Sequence, residues 1–196
     1  VDGVDVRDMT QKELRDKLGY VPQKGVLFSG TIDSNIRYGK PEITDAQVKE
    51  AAEVAQATEF IDTKPEKYES PVSQGGTNVS GGQKQRLSIA RAIAKDPEIF
   101  IFDDSFSALD FKTDSQLRKA LKEYTKDATT VIVAQRISTI LGADQIIVLD
   151  DGHMAGIGTH KELMANCEVY QQIAASQLSE AELKAGLEEN GKGGEQ

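Results

Sequence analysis

The sequence predicts an α/β domain built on a mostly parallel sheet. Ile99-Phe100-Ile101-Phe102-Asp103-Asp104 is an apolar run without alternation that ends in two carboxylates. That is the pattern of a strand buried on both faces of a parallel sheet, delivering acids at its carboxyl end, where α/β proteins bind ligands. Thr129-Thr130-Val131-Ile132-Val133-Ala134 is β-branched and reads as another central strand. Capped amphipathic helices alternate with these runs, the clearest one starting at Val79-Ser80-Gly81-Gly82-Gln83.

A chain of 196 residues with 38% hydrophobic content is long enough for one well-packed unit. The net charge of −9 argues against a nucleic-acid groove, which needs a basic face. Nucleotide binding needs only local positive charge. Cys167 stands alone, so no internal disulfide forms, which fits a reducing compartment. The apolar runs around Ile99 and Ile146 fall well short of the ~20 residues that span a bilayer, so any membrane part is expected outside this chain. Val1-Asp2-Gly3 is a hairpin turn signal with no strand before it. With no initiator Met or targeting segment, the chain is expected to be a fragment of a longer protein.

In chain order, Thr10 to Leu18 predicts a short helix with a Thr10/Glu13 capping box, ended by Gly19. Tyr20 to Gln23 reads as a strand edge entering a loop, and Leu27 to Ile32 (LFSGTI) is apolar enough to dock on a partner. A helix follows from Thr44, boxed with Gln47, with Ala51, Ala52, Val54 and Ala55 on its apolar side. Ser70 to Gly76 is a turn-rich loop. In the next helix Ser80 and Gln83 fit a capping box, and Leu87, Ile89, Ala90, Ile93 and Ala94 make the apolar stripe. The pair Gly81-Gly82 is not needed for capping and costs about 1 kcal/mol per residue in a helical turn. It is explained if backbone N–H groups at the positive end of the helix must approach a phosphate. After the Ile99 strand, Ser107-Ala108-Leu109-Asp110 is a turn with Asp110 as N-cap of a helix over Thr113 to Lys126, Leu117 and Leu121 inward. Ala143 to Asp150 predicts a strand, and Asp151-Gly152 turns it into a hairpin over Met154 to Gly158. Gly156-Ile157-Gly158 lacks the third glycine and the following helix of a dinucleotide fingerprint. His153 and His160, the latter in a helix capped by Thr159 and Glu162, are expected to be exposed and structural. The tail from Ser179 is polar and acidic and predicts a frayed helix followed by disorder.

Taken together, VSGGQ, IFIFDD and SALD resemble the signature motif, Walker B strand and D-loop of ATP-binding cassette (ABC) proteins of the exporter type, in family order and spacing. The resemblance implies a P-loop NTPase cassette, with a RecA-like core over 1–39 and 97–178, a helical subdomain over 40–96 and a flexible acidic tail over 179–196. It implies an ATPase using ATP and Mg²⁺ at the cytoplasmic face of a cell membrane. Its partners would be a second cassette and a transmembrane domain upstream in the same polypeptide, with no nucleic acid. Gln23 resembles the Q-loop glutamine that contacts Mg²⁺ and the attacking water, and Asp103 the carboxylate that holds Mg²⁺. Ser80, Gly81, Gly82, Gln83 and Asp110 would serve ATP, the signature capping the nucleotide of the opposite cassette. LFSGTI resembles the segment that meets the membrane domain, and Gln74 holds the place of a glutamate in that cross-talk. Two rival classes are a non-transport ABC ATPase acting on DNA or ribosomes, and a purely regulatory nucleotide-binding module.

Three departures from the family pattern matter. The phosphate cradle G-x-x-x-x-G-K-[S/T] is absent; Gly39-Lys40 is the nearest dipeptide, but Ser34 stands at the first glycine and Pro41 follows the lysine. Asp104 stands where the family has glutamate. Its carboxylate is one methylene short, roughly 1.5 Å, and a misplacement of about 1 Å costs on the order of a hundredfold. Gln135 replaces histidine and cannot carry its positive charge. The combination resembles the degenerate-site subunit of heterodimeric bacterial exporters, with a slow site of its own and a signature that completes the partner's site.

Overall fold

Side-chain chemistry places the helix starts: Thr10, Thr44, Ser80 and Thr159 each close a capping box with the residue three positions on, as the sequence predicts. A computed structural model describes residues 1–178 and divides them into a unit over Val1–Val133 and a second that begins at Ala134. The tail reading for 179–196 lies outside the described residues.

In the first unit α1 (Gln11–Lys17) runs into β1 (Leu18–Val21), followed by β2 (Gly30–Thr31) and α2 (Ile32–Ile36). Next come α3 (Asp45–Val54), α4 (Thr58–Asp62), β3 (Pro71–Val72) and α5 (Gly81–Ala94), then β4 (Ile99–Asp103), α6 (Phe111–Tyr124) and β5 (Thr129–Val133). The main sheet has the order β1-β4-β5, all parallel, with Tyr20 opposite Ile101 and Asp103 opposite Val133. Phe100 and Phe102 face α5 residues Leu87, Ile89 and Ile93 and α6 residues Leu117 and Leu121 in one buried core. The opposite face is more open, with Ile99 and Ile101 half-buried and Tyr20 and Val131 exposed. The apolar run of β4 is therefore buried on one face rather than both. β5 is likewise an edge of the described sheet, not a central strand; its β-branched residues fix the strand but Val131 and Val133 stay exposed.

Gly19 does not end α1. The helix stops at Lys17, and Gly19 is a strand residue whose Cβ would lie 2.7 Å from Pro97 Cγ and 3.3 Å from the Ala92 carbonyl. Its role is close packing of β1 on the end of α5. Val1 to Val4 forms a turn, closed by Val4 N–H to the Val1 carbonyl, that no described strand flanks. Within LFSGTI, Leu27 and Ile32 turn into the chain's own core, so of its apolar side chains only part of Phe28 is left to face outward.

Helix α5 organises the unit through polar side chains as well as apolar ones. Arg91 donates to the Asn35 and Val26 carbonyls at 2.8 and 2.9 Å and to Asn35 Oδ1 at 2.9 Å. Its guanidinium lies 5.3 Å from the Phe28 ring and 5.4 Å from the Tyr38 ring, and burial pulls its pKa below the usual arginine range. Lysine cannot reproduce this planar fork. Arg91→Lys is expected to lower stability by about 2 kcal/mol, read from denaturant midpoints, because buried carbonyls lose charged donors.

The second unit begins with α7 (Ile137–Ile140), then the antiparallel pair β6 (Ile146–Asp150) and β7 (His153–Gly158), α8 (His160–Asn166) and α9 (Glu168–Gln177). Asp151 and Gly152 adopt φ of 46° and 78°, the left-handed pair a two-residue hairpin turn requires. Gly156 packs where a Cβ would meet Cys167 Sγ and Leu163 Cδ2, each at 2.9 Å, which accounts for it without a ligand. No helix among the described residues is long and apolar enough to cross a membrane.

His153 is exposed as expected, but His160 is buried. Its Nδ1 lies 2.8 Å from the Tyr170 hydroxyl, and burial lowers its pKa from the usual histidine value. At pH values between the folded and the unfolded pKa the unfolded chain binds more protons, so stability there rises with pH. Hydrogen exchange in α8 and α9 should therefore be less protected at pH 5 than at pH 7, after correction for intrinsic rates. His160→Gln should remove most of that difference.

Candidate functional site

The site is built from two groups of residues in the first unit. The first gathers at the carboxyl ends of the parallel strands β1 and β4, where such sheets bind ligands. Asp103 is the last residue of β4, and Tyr20 from β1 donates its hydroxyl to Asp103 Oδ2 at 3.2 Å. Partial desolvation where the ring rests on the strand end, and second the Asp103 carboxylate, hold the Tyr20 phenol above its usual pKa. Asp104 follows with φ of 44° and its N–H bonded to the Val133 carbonyl at 2.8 Å. Aspartate tolerates this left-handed region better than most residues. Gln23 leaves β1 through Pro22 and its Nε2 donates to Asp104 Oδ2 at 2.9 Å. Ser105 ties the turn to β1, its hydroxyl donating to the Val21 carbonyl at 2.8 Å, and Ser107 donates to the Asp104 carbonyl at 3.0 Å.

The structure thus brings Gln23, Asp103 and Asp104 together from positions about eighty residues apart in sequence. Two adjacent carboxylates at the end of β4 and one neutral amide make a sparse oxygen donor set. That suits Mg²⁺, which keeps several waters and takes its remaining ligands from phosphates. It does not suit a cation that needs an all-protein cage, and no cluster of three or more His, Cys, Asp or Glu side chains fit for a metal occurs among the described residues.

The second group is the start of α5. Ser80 Oγ accepts from Gln83 N–H at 3.2 Å and Gln83 Oε1 accepts from Ser80 N–H at 3.1 Å. This box uses the N–H groups of Ser80 and Gln83 and leaves those of Gly81 and Gly82 outside it, at the positive end of a 14-residue helix with no acidic residue in its first turn. A Cβ on Gly81 would meet nothing within 4 Å, and one on Gly82 would touch only the Ala108 carbonyl at 3.5 Å and Leu109 Cδ2 at 3.9 Å. The glycine pair is therefore not demanded by packing. The Ser107–Asp110 turn lies beside it, and Asp110 caps α6 by accepting from Thr113 N–H at 3.0 Å and Thr113 Oγ1 at 2.7 Å. Those bonds hold the Asp110 carboxyl below its usual pKa.

Gln135 belongs to the second unit. Gln177 of α9 donates to its carbonyl at 2.8 Å and accepts from Ile137 N–H at 2.8 Å, so α9 pins the backbone of the segment that carries it. Gln74, expected in a turn-rich loop, accepts from Ser29 N–H at 3.2 Å and so joins the Ser70–Gly76 loop to the LFSGTI segment.

Sequence reasoning missed Tyr20, Gln85 and Gln177. Gln85 carried a signal, since it lies four residues before Ile89 on the apolar stripe of α5 and a polar residue there must find buried partners. Tyr20 and Gln177 act on residues far away in the chain, and no local pattern marks them.

A family model described as ABC transporter matches residues 1–107. A Mycobacterium tuberculosis (strain ATCC 25618 / H37Rv) protein named as an ABC transporter ATP-binding protein is 47% identical over 180 residues, which cover 90% of this chain and 31% of that one. A Staphylococcus aureus (strain NCTC 8325 / PS 47) protein named for multidrug export as an ATP-binding/permease protein is 44% identical over 177 residues, again 90% of this chain and 31% of its own. Among solved structures, a bacterial Atm1-family ABC exporter with ATP bound superimposes with a TM-score of 0.87 at 40% identity, covering 91% of this chain and 32% of that chain. The chain therefore spans about a third of the length of these relatives.

Proposed function

The chain belongs to the ABC transporter family, and on that premise we propose that it is the ATP-binding and ATP-hydrolysing cassette of an exporter, acting as the slow-site member of an unlike pair. The core over 1–39 and 97–178 and the helical subdomain over 40–96 work at the cytoplasmic face of a membrane, joined to a transmembrane domain in the same polypeptide. Asp103 and Gln23 would hold Mg²⁺, which bridges the phosphates and offsets their charge. Asp104 orients the attacking water and Gln135 bonds the γ-phosphate. Ser80, Gly81, Gly82 and Gln83, with Asp110 beside them, complete the nucleotide site of the partner cassette.

The observation that carries this reading is the Gln23–Asp104 hydrogen bond at 2.9 Å. It joins the Gln23 amide to a carboxylate at one strand end, which supports a joint role for them in hydrolysis. With the shorter acid held by the loop in this way, it would lack part of the about 10²–10⁴-fold that a well-placed general base contributes. The open glycine pair on α5 supports a working signature for the opposite half.

The test is ATP hydrolysis by the full-length protein purified alone and with its unlike partner. Turnover is expected only from the pair. Homodimers with normal activity would sink the proposal.

A further inference from the structure

We propose that Gln85 is a positioning residue for Gln23, clamping the Pro22–Gly25 loop onto the helix that carries Ser80–Gln83; this rests on the reading of Gln23 given above. Gln85 is 1% exposed, and both ends of its amide are used. Its Oε1 accepts from Gly25 N–H at 2.9 Å and its Nε2 donates to the Pro22 carbonyl at 3.0 Å. Those two backbone groups bracket Gln23 and Lys24, so one side chain holds the loop at each end. A buried amide satisfied on both sides leaves the loop no alternative partner of equal quality.

Gly25 makes the same contact by a different route. A Cβ there would lie 2.7 Å from Ser88 Oγ and 2.9 Å from the Lys84 carbonyl, so the loop backbone rests directly on α5. Gln23, suspended between these two anchors, reaches Asp104. Gln85 is two residues beyond Gln83, a rise of about 3 Å along the helix. The segment that would touch the partner's nucleotide and the loop that would touch this chain's own Mg²⁺ are thus fixed to the same rigid turn. A shift of the α5 N-terminus is passed to Gln23 through Gln85 and Gly25.

The test uses full-length protein assembled with its partner and reads the Mg²⁺ concentration giving half-maximal hydrolysis at the slower site. Gln85→Met removes both bonds at similar volume, and Gly25→Ala lifts the loop off Ser88 and Lys84 while keeping the Gln85 side chain itself. Each is expected to raise that concentration about tenfold, by displacing Gln23 on the scale of an ångström. In a Gln23→Ala background neither should have a further effect, since coupled sites are not additive. Equal shifts in both backgrounds, or a lower melting temperature with unchanged Mg²⁺ dependence, would overturn the proposal alone. If Gln23→Ala by itself leaves the Mg²⁺ dependence unchanged, the reading of Gln23 falls and the proposal with it.

Discussion

Replacing Gly81 and Gly82 by alanine is expected to lower ATP turnover of the assembled protein by about 10²–10³-fold, the scale of losing preorganised donors to a phosphate, while making the chain more stable. Both residues are in the first turn of α5 with helical backbone, and the space for a methyl group is present at each. Alanine is preferred over glycine by roughly 0.5–1 kcal/mol in a helix interior, with some of that gain retained near the start. For a protein of this size each kcal/mol moves the melting temperature by about 2–4 °C. The two readouts move in opposite directions only if the glycines serve a ligand. Were they there for packing, both would fall. The measurement is a pair of thermal melts alongside steady-state turnover for the double variant and the parent.

The second large effect concerns Asp104 and Gln135. Asp104→Glu with Gln135→His is expected to speed hydrolysis at the slower site by about 10–100-fold, recovering much of what a placed base contributes. If the partner's site already works as proposed, steady-state turnover would at most double. The gain is therefore sought in the background of the Gly81→Ala, Gly82→Ala variant, where only the site built on Asp103 and Asp104 remains. An unchanged rate there would favour a purely regulatory nucleotide module. Asp104→Glu also places a longer residue at φ of 44°, where aspartate is better tolerated, so a small loss of stability accompanies the gain in rate.

Local chemistry was legible and long-range packing was not. The capping residues Thr10, Thr44, Ser80, Asp110 and Thr159 were found because a cap needs only its own four residues. Asp103 and Asp104 stood out because carboxylates after an apolar strand have few other uses. Gly19 was misread as a helix stop because its actual neighbours, Pro97 and Ala92, are distant in sequence. β5 was assigned as central from its β-branched residues, yet composition reports strand preference and not the number of neighbouring strands. His160 was expected at the surface because its partner Tyr170 is on the following helix. The same limit hid Gln85, whose partners at Pro22 and Gly25 are sixty or more residues away.

The central claim is one fast and one slow site in a single pair, and single-turnover hydrolysis tests it without any substitution. Full-length protein assembled with its partner is loaded with ATP at both sites, free nucleotide is removed, and the bound ADP is followed after Mg²⁺ is added. Two phases of equal amplitude are expected, the second slower by about 10²-fold, as a base misplaced by an ångström implies. A single phase consuming both nucleotides at one rate would contradict the claim.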